Sequence, residues 1–320
     1  MIPDLKLSLI GGYTALFENS KRFLASQRIN ANVTLGPSTL NQSSANSNYK
    51  TFQQLAEYRK QINRHEFSLL AGHSFEAAYS ESMGAFRNDF PGNDLTQLNA
   101  GGVPGMTNTG TATEWALDSY FGRLQYNYAN KYLAEGVLRY DGSSRFPKNE
   151  KYALFPSAAI GWRIGEEPFI KNNLLFLDDL KLKASYGILG NQNIGNYPYQ
   201  NILAAGYNYA FGNVISTGVA RTTITDTTLR WESTRTSDIG IEASLLKGLI
   251  SFSVTYFDKY TYDILVSPSA SVSNVLGFGI GAQNTGKLKI PVGNLPSPTR
   301  KALANSVIQL MPTYPSSTIK

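Results

Sequence analysis

FGRLQYNYANKYLAEGVLRYDGSSRF (121–146), YALFPSAAIGWRIGEEPF (152–169) and LKLKASYGILGNQNIGNY (180–197) decide the fold. From Leu180 onward, Leu180, Leu182, Ala184, Tyr186 and Ile188 share one parity, and Lys181, Lys183, Ser185 and Gly187 the other. Side chains of a strand alternate between two faces, so this spacing gives one apolar and one wettable face. Tyr132, Ala134, Gly136, Leu138 and Tyr140 likewise oppose a mixed face carrying Glu135 and Arg139. Further on, Ile250, Phe252, Val254 and Tyr256 oppose Ser251, Ser253 and Thr255.

Extended outward, the same alternation predicts about ten strands. They cover 4–17, 22–36, 49–60, 65–79, 118–128, 131–141, 152–164, 179–189, 230–245 and 249–262. The connections alternate in length. Those at 18–21, 61–64, 129–130 and 246–248 are short, with 165–178 a moderate exception; those at 37–48, 80–117, 142–151, 190–229 and 263–281 are mostly long. An up-and-down barrel in an outer membrane has tight turns on its periplasmic rim and elaborated loops on the other. Greek-key sandwiches have no reason to keep that parity. Tyr126, Tyr128, Tyr132, Tyr140, Trp162 and Tyr186 fall near predicted strand ends, where an interfacial aromatic girdle belongs.

Composition agrees. Charged residues make up 16% of the 320, below the roughly 25% of soluble domains, while Tyr (19) and Phe (16) are abundant. No stretch approaches the ~18 apolar residues of a membrane helix. Cysteine is absent, which removes disulfides, thiolate metal sites and cysteine nucleophiles. The net charge of +6 is scattered rather than gathered into a patch that could follow a phosphate backbone, so no nucleic acid is expected as partner.

No catalytic set assembles. His65 and His73, the only histidines, lie eight apart on one strand and some 27 Å from each other, too far to share a metal. Glu166 with Glu167 and Asp178 with Asp179 are neighbours in turns, not groups opposed across a cleft. GNQNIGN (190–196) opens no helix and lacks a Gly-Lys-Ser/Thr ending, so it reads as an exposed turn-rich loop and not a phosphate cradle. DGSSRF (141–146) reads as a structural turn headed by Asp-Gly. No enzyme activity, metal, cofactor or individual substrate-binding residue is assigned.

Tyr-Asn-Tyr, Lys-Tyr-Leu, Asp-Gly-Ser-Ser-Arg-Phe, Phe-Pro-Ser, Gly-Trp-Arg, and Ala-Ser-Tyr-Gly followed by Gly-Asn-Gln occur in one order between 126 and 192. In that order they resemble the barrel region of the SusC/RagA family of TonB-linked outer-membrane transporters. The resemblance runs from Met1 to about Lys289 and recurs strongly over 229–265. It implies an all-β, antiparallel up-and-down transmembrane barrel, of which this chain supplies about ten of about 22 strands. It further implies import of glycans or peptides, with TonB, a SusD-like surface lipoprotein and outer-membrane lipid as partners. No export signal precedes the first strand, so the chain is expected to be a middle piece of a longer protein, inactive alone. A soluble all-β glycan-binding or adhesion module is the alternative, as is a porin-like channel without TonB coupling.

The carboxy end departs from the pattern. KIPVGNLPSPTRKALANSVIQLMPTYPSSTIK (289–320) holds four prolines between Pro291 and Pro312 and no period of two. Read in the neighbouring frame with one adenine restored near Lys289, it regains a strand–turn–strand pattern opening Asn-Thr-Gly-Trp-Glu. The division expected is therefore a partial barrel over 1–289 and an out-of-frame, disordered tail over 290–320.

Overall fold

The computed structural model of the chain describes residues 4–267, 277 and 279–294. Ten strands form one antiparallel sheet: β1 Leu5–Leu24, β2 Thr39–Ile62, β3 His65–Asn88, β4 Thr107–Tyr128 and β5 Tyr132–Ser143. It continues with β6 Tyr152–Trp162, β7 Leu177–Asn191, β8 Glu232–Leu245, β9 Ile250–Val266 and β10 Gln283–Asn294. Each strand pairs only with its neighbours in the chain, which is the up-and-down order, and β1 and β10 are the free edges.

The ten strands expected and the ten observed are not the same set. The proposed turn at 18–21 does not exist. β1 runs through it, with Glu18, Asn19, Ser20 and Lys21 opposite Ala45, Ser44, Ser43 and Gln42. The proposed strand 22–36 ends at Leu24, and the proposed loop 37–48 is the first half of β2. β3 and β4 likewise take up residues expected in the 80–117 loop, leaving 89–106 as the connection. The tenth strand, β10, was not anticipated.

Parity survives these corrections. Connections at 25–38, 89–106, 144–151, 192–231 and 267–282 share one rim, and those at 63–64, 129–131, 163–176 and 246–249 the other. The 129–131 hairpin closes by Lys131 N–H donating to the Tyr128 carbonyl at 2.9 Å. Ala129 and Asn130 both take positive φ, +54° and +56°, the backbone of a twist-matched two-residue hairpin turn.

Register carries the alternation across the sheet. Phe67, Leu69 and Ala71 of β3 lie opposite Tyr126, Leu124 and Gly122 of β4; Tyr128, Tyr126 and Leu124 lie opposite Tyr132, Ala134 and Gly136 of β5. Ile160 meets Ala184, Ala184 meets Ile239, and Ile239 meets Tyr256. This face is apolar and open: Leu7, Leu9, Ile160 and Ile239 are all more than half exposed. The opposite face carries Lys6, Glu57, Glu66, Gln125, Glu135, Lys183 and Asp238.

Rings mark both ends of the apolar band. Tyr128 stacks on Tyr132 and Tyr132 on Trp162 at the short-turn rim, with centroids 6.2 and 6.4 Å apart. Toward the other rim, Tyr140 stacks on Tyr152 at 4.9 Å beside Tyr120. Tyr186 lies inside β7, opposite Ala158, so it is not at a strand end as expected.

β1 to β4 are 20, 24, 24 and 22 residues long. A tilted transmembrane strand needs only ~9–11. The surplus stands beyond the band on the long-loop rim.

β10 continues through Asn294, with Pro291 opposite Asp258 on the free edge, where a missing N–H breaks no second ladder. Of the expected tail, 295–320 lies outside the described residues.

Candidate functional site

The polar face holds a concavity of about 580 Å³ near the short-turn rim, among Glu66, Gln125, Glu135, Lys181, Lys183 and Asp238. Period two places these groups there, each being an odd or even partner of a lipid-type neighbour. Lys183 hydrogen-bonds Glu242, and Lys181 reaches the same carboxylate at 3.6 Å. Ser185 Oγ donates to Asp238 at 2.9 Å and Gln125 Nε2 to Glu135 at 2.5 Å. A Cβ on Gly240 would sit 2.8 Å from Lys183 Cε and 2.9 Å from Thr255 Oγ1. Glycine there lets the lysine stem lie flat on the sheet. These pairs are part-exposed, so each is worth at most about 1 kcal/mol. What they do is fix donors and acceptors on a wet wall.

The second cluster sits on the long-loop rim. Phe146, Phe155 and Trp231 form a buried core with Leu117, Ile188 and Ile194 against it. Trp231 stacks on Phe146 at 5.0 Å, meets Phe155 edge-on at 5.3 Å, and donates Nε1–H to the Lys151 carbonyl at 3.0 Å. Arg145 lies over the Trp115 ring at 5.0 Å. It donates Nε–H to Asn196 Oδ1 at 3.0 Å and Nη1–H to the Gln192 carbonyl at 3.2 Å. DGSSRF is thus a structural turn, as read, with Ser143 and Phe146 fully buried. GNQNIGN is not simply an exposed loop: its backbone and Asn196 are gripped by Arg145, and Ile194 joins the core.

His65 and His73 share the apolar face, without contact. His65 Nδ1 is 2.8 Å from Tyr126 Oη, and His73 Nε2 is 2.6 Å from Asp118, which also accepts from Tyr152 Oη at 3.0 Å. Among the described residues no group of three His, Asp or Glu could hold a metal. Asp178 accepts the Gly248 N–H at 2.8 Å, and Asp179 pairs with Arg163 at 3.3 Å. Glu166 binds Lys171 at 2.7 Å. Glu167 accepts from Tyr132 Oη at 2.8 Å, Lys131 at 3.1 Å and Trp162 Nε1 at 3.3 Å. Those donors hold the Glu167 carboxyl below the usual carboxylate range, the Tyr132 bond first. The acids at 166–167 and 178–179 therefore clamp rim turns. The lysine–glutamate network and the Arg145 grip were missed in the sequence. Lys181 and Lys183 opposite Glu242 and Gly240 were the available signal for the first; nothing local signals the second, whose partners are about fifty residues apart.

A continuous antiparallel wall, apolar outside, polar and concave inside, ring-bordered, with its long loops on one rim, is the wall of a transmembrane β-barrel. Comparison with known proteins gives the family. Residues 5–290 match the family model described as TonB dependent receptor-like, beta-barrel. The chain belongs to that family, on its SusC/RagA branch. It is 32% identical over 295 residues to TonB-dependent receptor P26 of Formosa agariphila, covering 90% of this chain and 29% of that protein. To TonB-dependent receptor SusC of Bacteroides thetaiotaomicron it is 32% identical over 293 residues, 89% of this chain and 27% of SusC. Among solved structures, the RagAB peptide transporter superposes with a TM-score of 0.79 at 27% identity, over 90% of this chain and 31% of that one. The chain thus spans under a third of the length of these relatives. The family's members are outer-membrane receptors that transport and are not enzymes.

Proposed function

We propose that this chain forms part of the barrel wall of a TonB-coupled outer-membrane importer that takes up glycans or peptides beneath a SusD-like lipoprotein. The family match over 5–290, joined to a polar, concave inner face, carries this reading. The substrate passes along hydroxyl, carboxylate and ammonium groups of the wall without covalent chemistry. The protein acts as no enzyme. The ten strands alone would be inactive, because unpaired edge groups on β1 and β10 cost several kcal/mol each in lipid. We further read 290–320 as out of frame. DNA sequence with an intact adenine run at Lys289, or with stops closing the neighbouring frame at once, would refute that.

Uptake tests the function. Cells carrying the full-length protein should accumulate fluorescent oligosaccharides or peptides, and a protonophore should abolish this. Uptake that persists without the proton-motive force would favour the porin-like channel.

A further inference from the structure

The rim that carries two- to four-residue turns also carries 163–176, and its excess length is not spent on folding inward. Glu167 is bonded to Tyr132 and Trp162, both on the apolar face, so the segment lies against the lower border of that face. It exposes Phe169, Phe176 and Leu175, the last at 88%. The adjoining turn adds Leu246 and Leu249, each at least half exposed. The two are joined: Leu246 N–H donates to the Phe176 carbonyl at 2.8 Å, and Gly248 N–H to Asp178 at 2.8 Å. Through Leu245 and Ile250, which pair, the patch runs into the apolar face without a break. There a trough of about 820 Å³ opens between Trp162, Leu182, Ile241 and Tyr256. Lys171 and Lys247 belong to the same two connections.

In water such a patch is a liability. At the foot of a membrane wall it has the composition of an interfacial anchor, apolar below and cationic beside. We propose that 163–176 and 246–249 together form a docking site for phospholipid of the periplasmic leaflet. Acyl chain lies in the trough above, and headgroup phosphate is met by Lys247, with the exposed Lys171 ammonium, which also holds Glu166 at 2.7 Å, beside it. The proposal rests on the reading that the apolar face meets lipid.

The absence of cysteine makes the test direct. In the full-length protein, with any cysteine elsewhere replaced, single reporters are placed by L175C, F169C, V254C and S253C. Each is labelled with an environment-sensitive fluorophore and reconstituted into phosphatidylethanolamine–phosphatidylglycerol vesicles containing brominated acyl chains. Labels at 175 and 169 should lose most of their emission to the bromolipid and resist aqueous iodide. The label at 254 should be quenched as well, and that at 253 should not. If 254 is quenched while 175 and 169 answer only to iodide, the anchor is refuted and the barrel stands. Labels at 175 and 169 shielded from both quenchers would assign the patch to a protein partner, also overturning the proposal. An unquenched label at 254 would overturn the membrane reading itself.

Discussion

Replacing Trp231 by alanine should open the long-loop rim while leaving the membrane span closed. Inside lipid, moving an apolar side chain from lipid to protein gains little, because both surroundings are apolar. The Phe146–Phe155–Trp231 core is different. It lies at the long-loop rim level with the outer ring belt, and Phe155, opposite Arg139, belongs to the wettable inner face, so its alternative is water. Truncating a buried Trp costs about 3–5 kcal/mol, and the bond from Nε1 to Lys151 adds about 1 kcal/mol. At about 1.4 kcal/mol per tenfold, opening of the 144–151 and 192–231 segments should rise by about three to four orders of magnitude, up to the limit set by their resting stability. Hydrogen exchange with mass spectrometry on the reconstituted full-length protein reads this directly. Amides such as Ser143, bonded to the Lys151 carbonyl, and Ser144, bonded to the Ala116 carbonyl, should lose protection. The ladder at Ile241 and Val254 should keep it. Unchanged exchange at Ser143 and Ser144 would show that the core does not hold the rim, and loss of protection at both places would show that the two regions are not energetically separate.

Three further outcomes follow from the geometry. Ala129 is an L-residue in the left-handed region of a tight hairpin turn, so Ala129→Gly should raise the unfolding midpoint through relief of about 1 kcal/mol; a lowered midpoint would refute the strain. The Glu167 carboxyl is held below its ordinary value, so the clamp it makes is fully present above the usual carboxylate range and is lost as pH falls through the lowered value. Limited proteolysis within 163–176 should therefore switch on only in acid, with Glu167→Gln flattening the profile; a nicking rate independent of pH in the unaltered protein would refute the clamp. Epitopes inserted in 89–106 or 192–231 of the full-length protein should be labelled on intact cells, whereas those at 129–130 or 246–248 should need a permeabilised outer membrane. Equal labelling of both sets would contradict the assigned orientation.

The strands legible in the sequence are those whose two faces meet different media. β5, β6, β7, β8 and β9 were placed to within a few residues because lipid on one side and a wet lumen on the other impose period two. TLNQSSANSN, the first half of β2, was misread as loop because both its faces are wet, and TNTGTATEW at the start of β4 failed for the same reason. Asn19, Ser20 and Lys21 resemble a turn by residue type, yet backbone pairing with Ser44, Ser43 and Gln42 holds them extended. β10 escaped because Pro291 within it and the prolines beyond it weighed against any strand there. The wall network was half legible, since lysine spacing was visible and its glutamate was not. The grip of Arg145 on Gln192 and Asn196 was invisible, because loop closure over that distance leaves no periodic trace.

The tall end of β1 to β4 has a mechanical consequence. Over Leu5–Leu24 the pairing with β2 has no register shift, so one uninterrupted ladder passes from lipid into water. Below, each of its rungs is locked, since a broken backbone bond has no solvent to replace it. Above, water competes for each rung, and Ser, Thr and Asn side chains bury little to resist it. The wall is therefore a zipper fixed at its base. It should fray from the top down, compliant where a cargo or a lid would press on it and unyielding where the membrane begins.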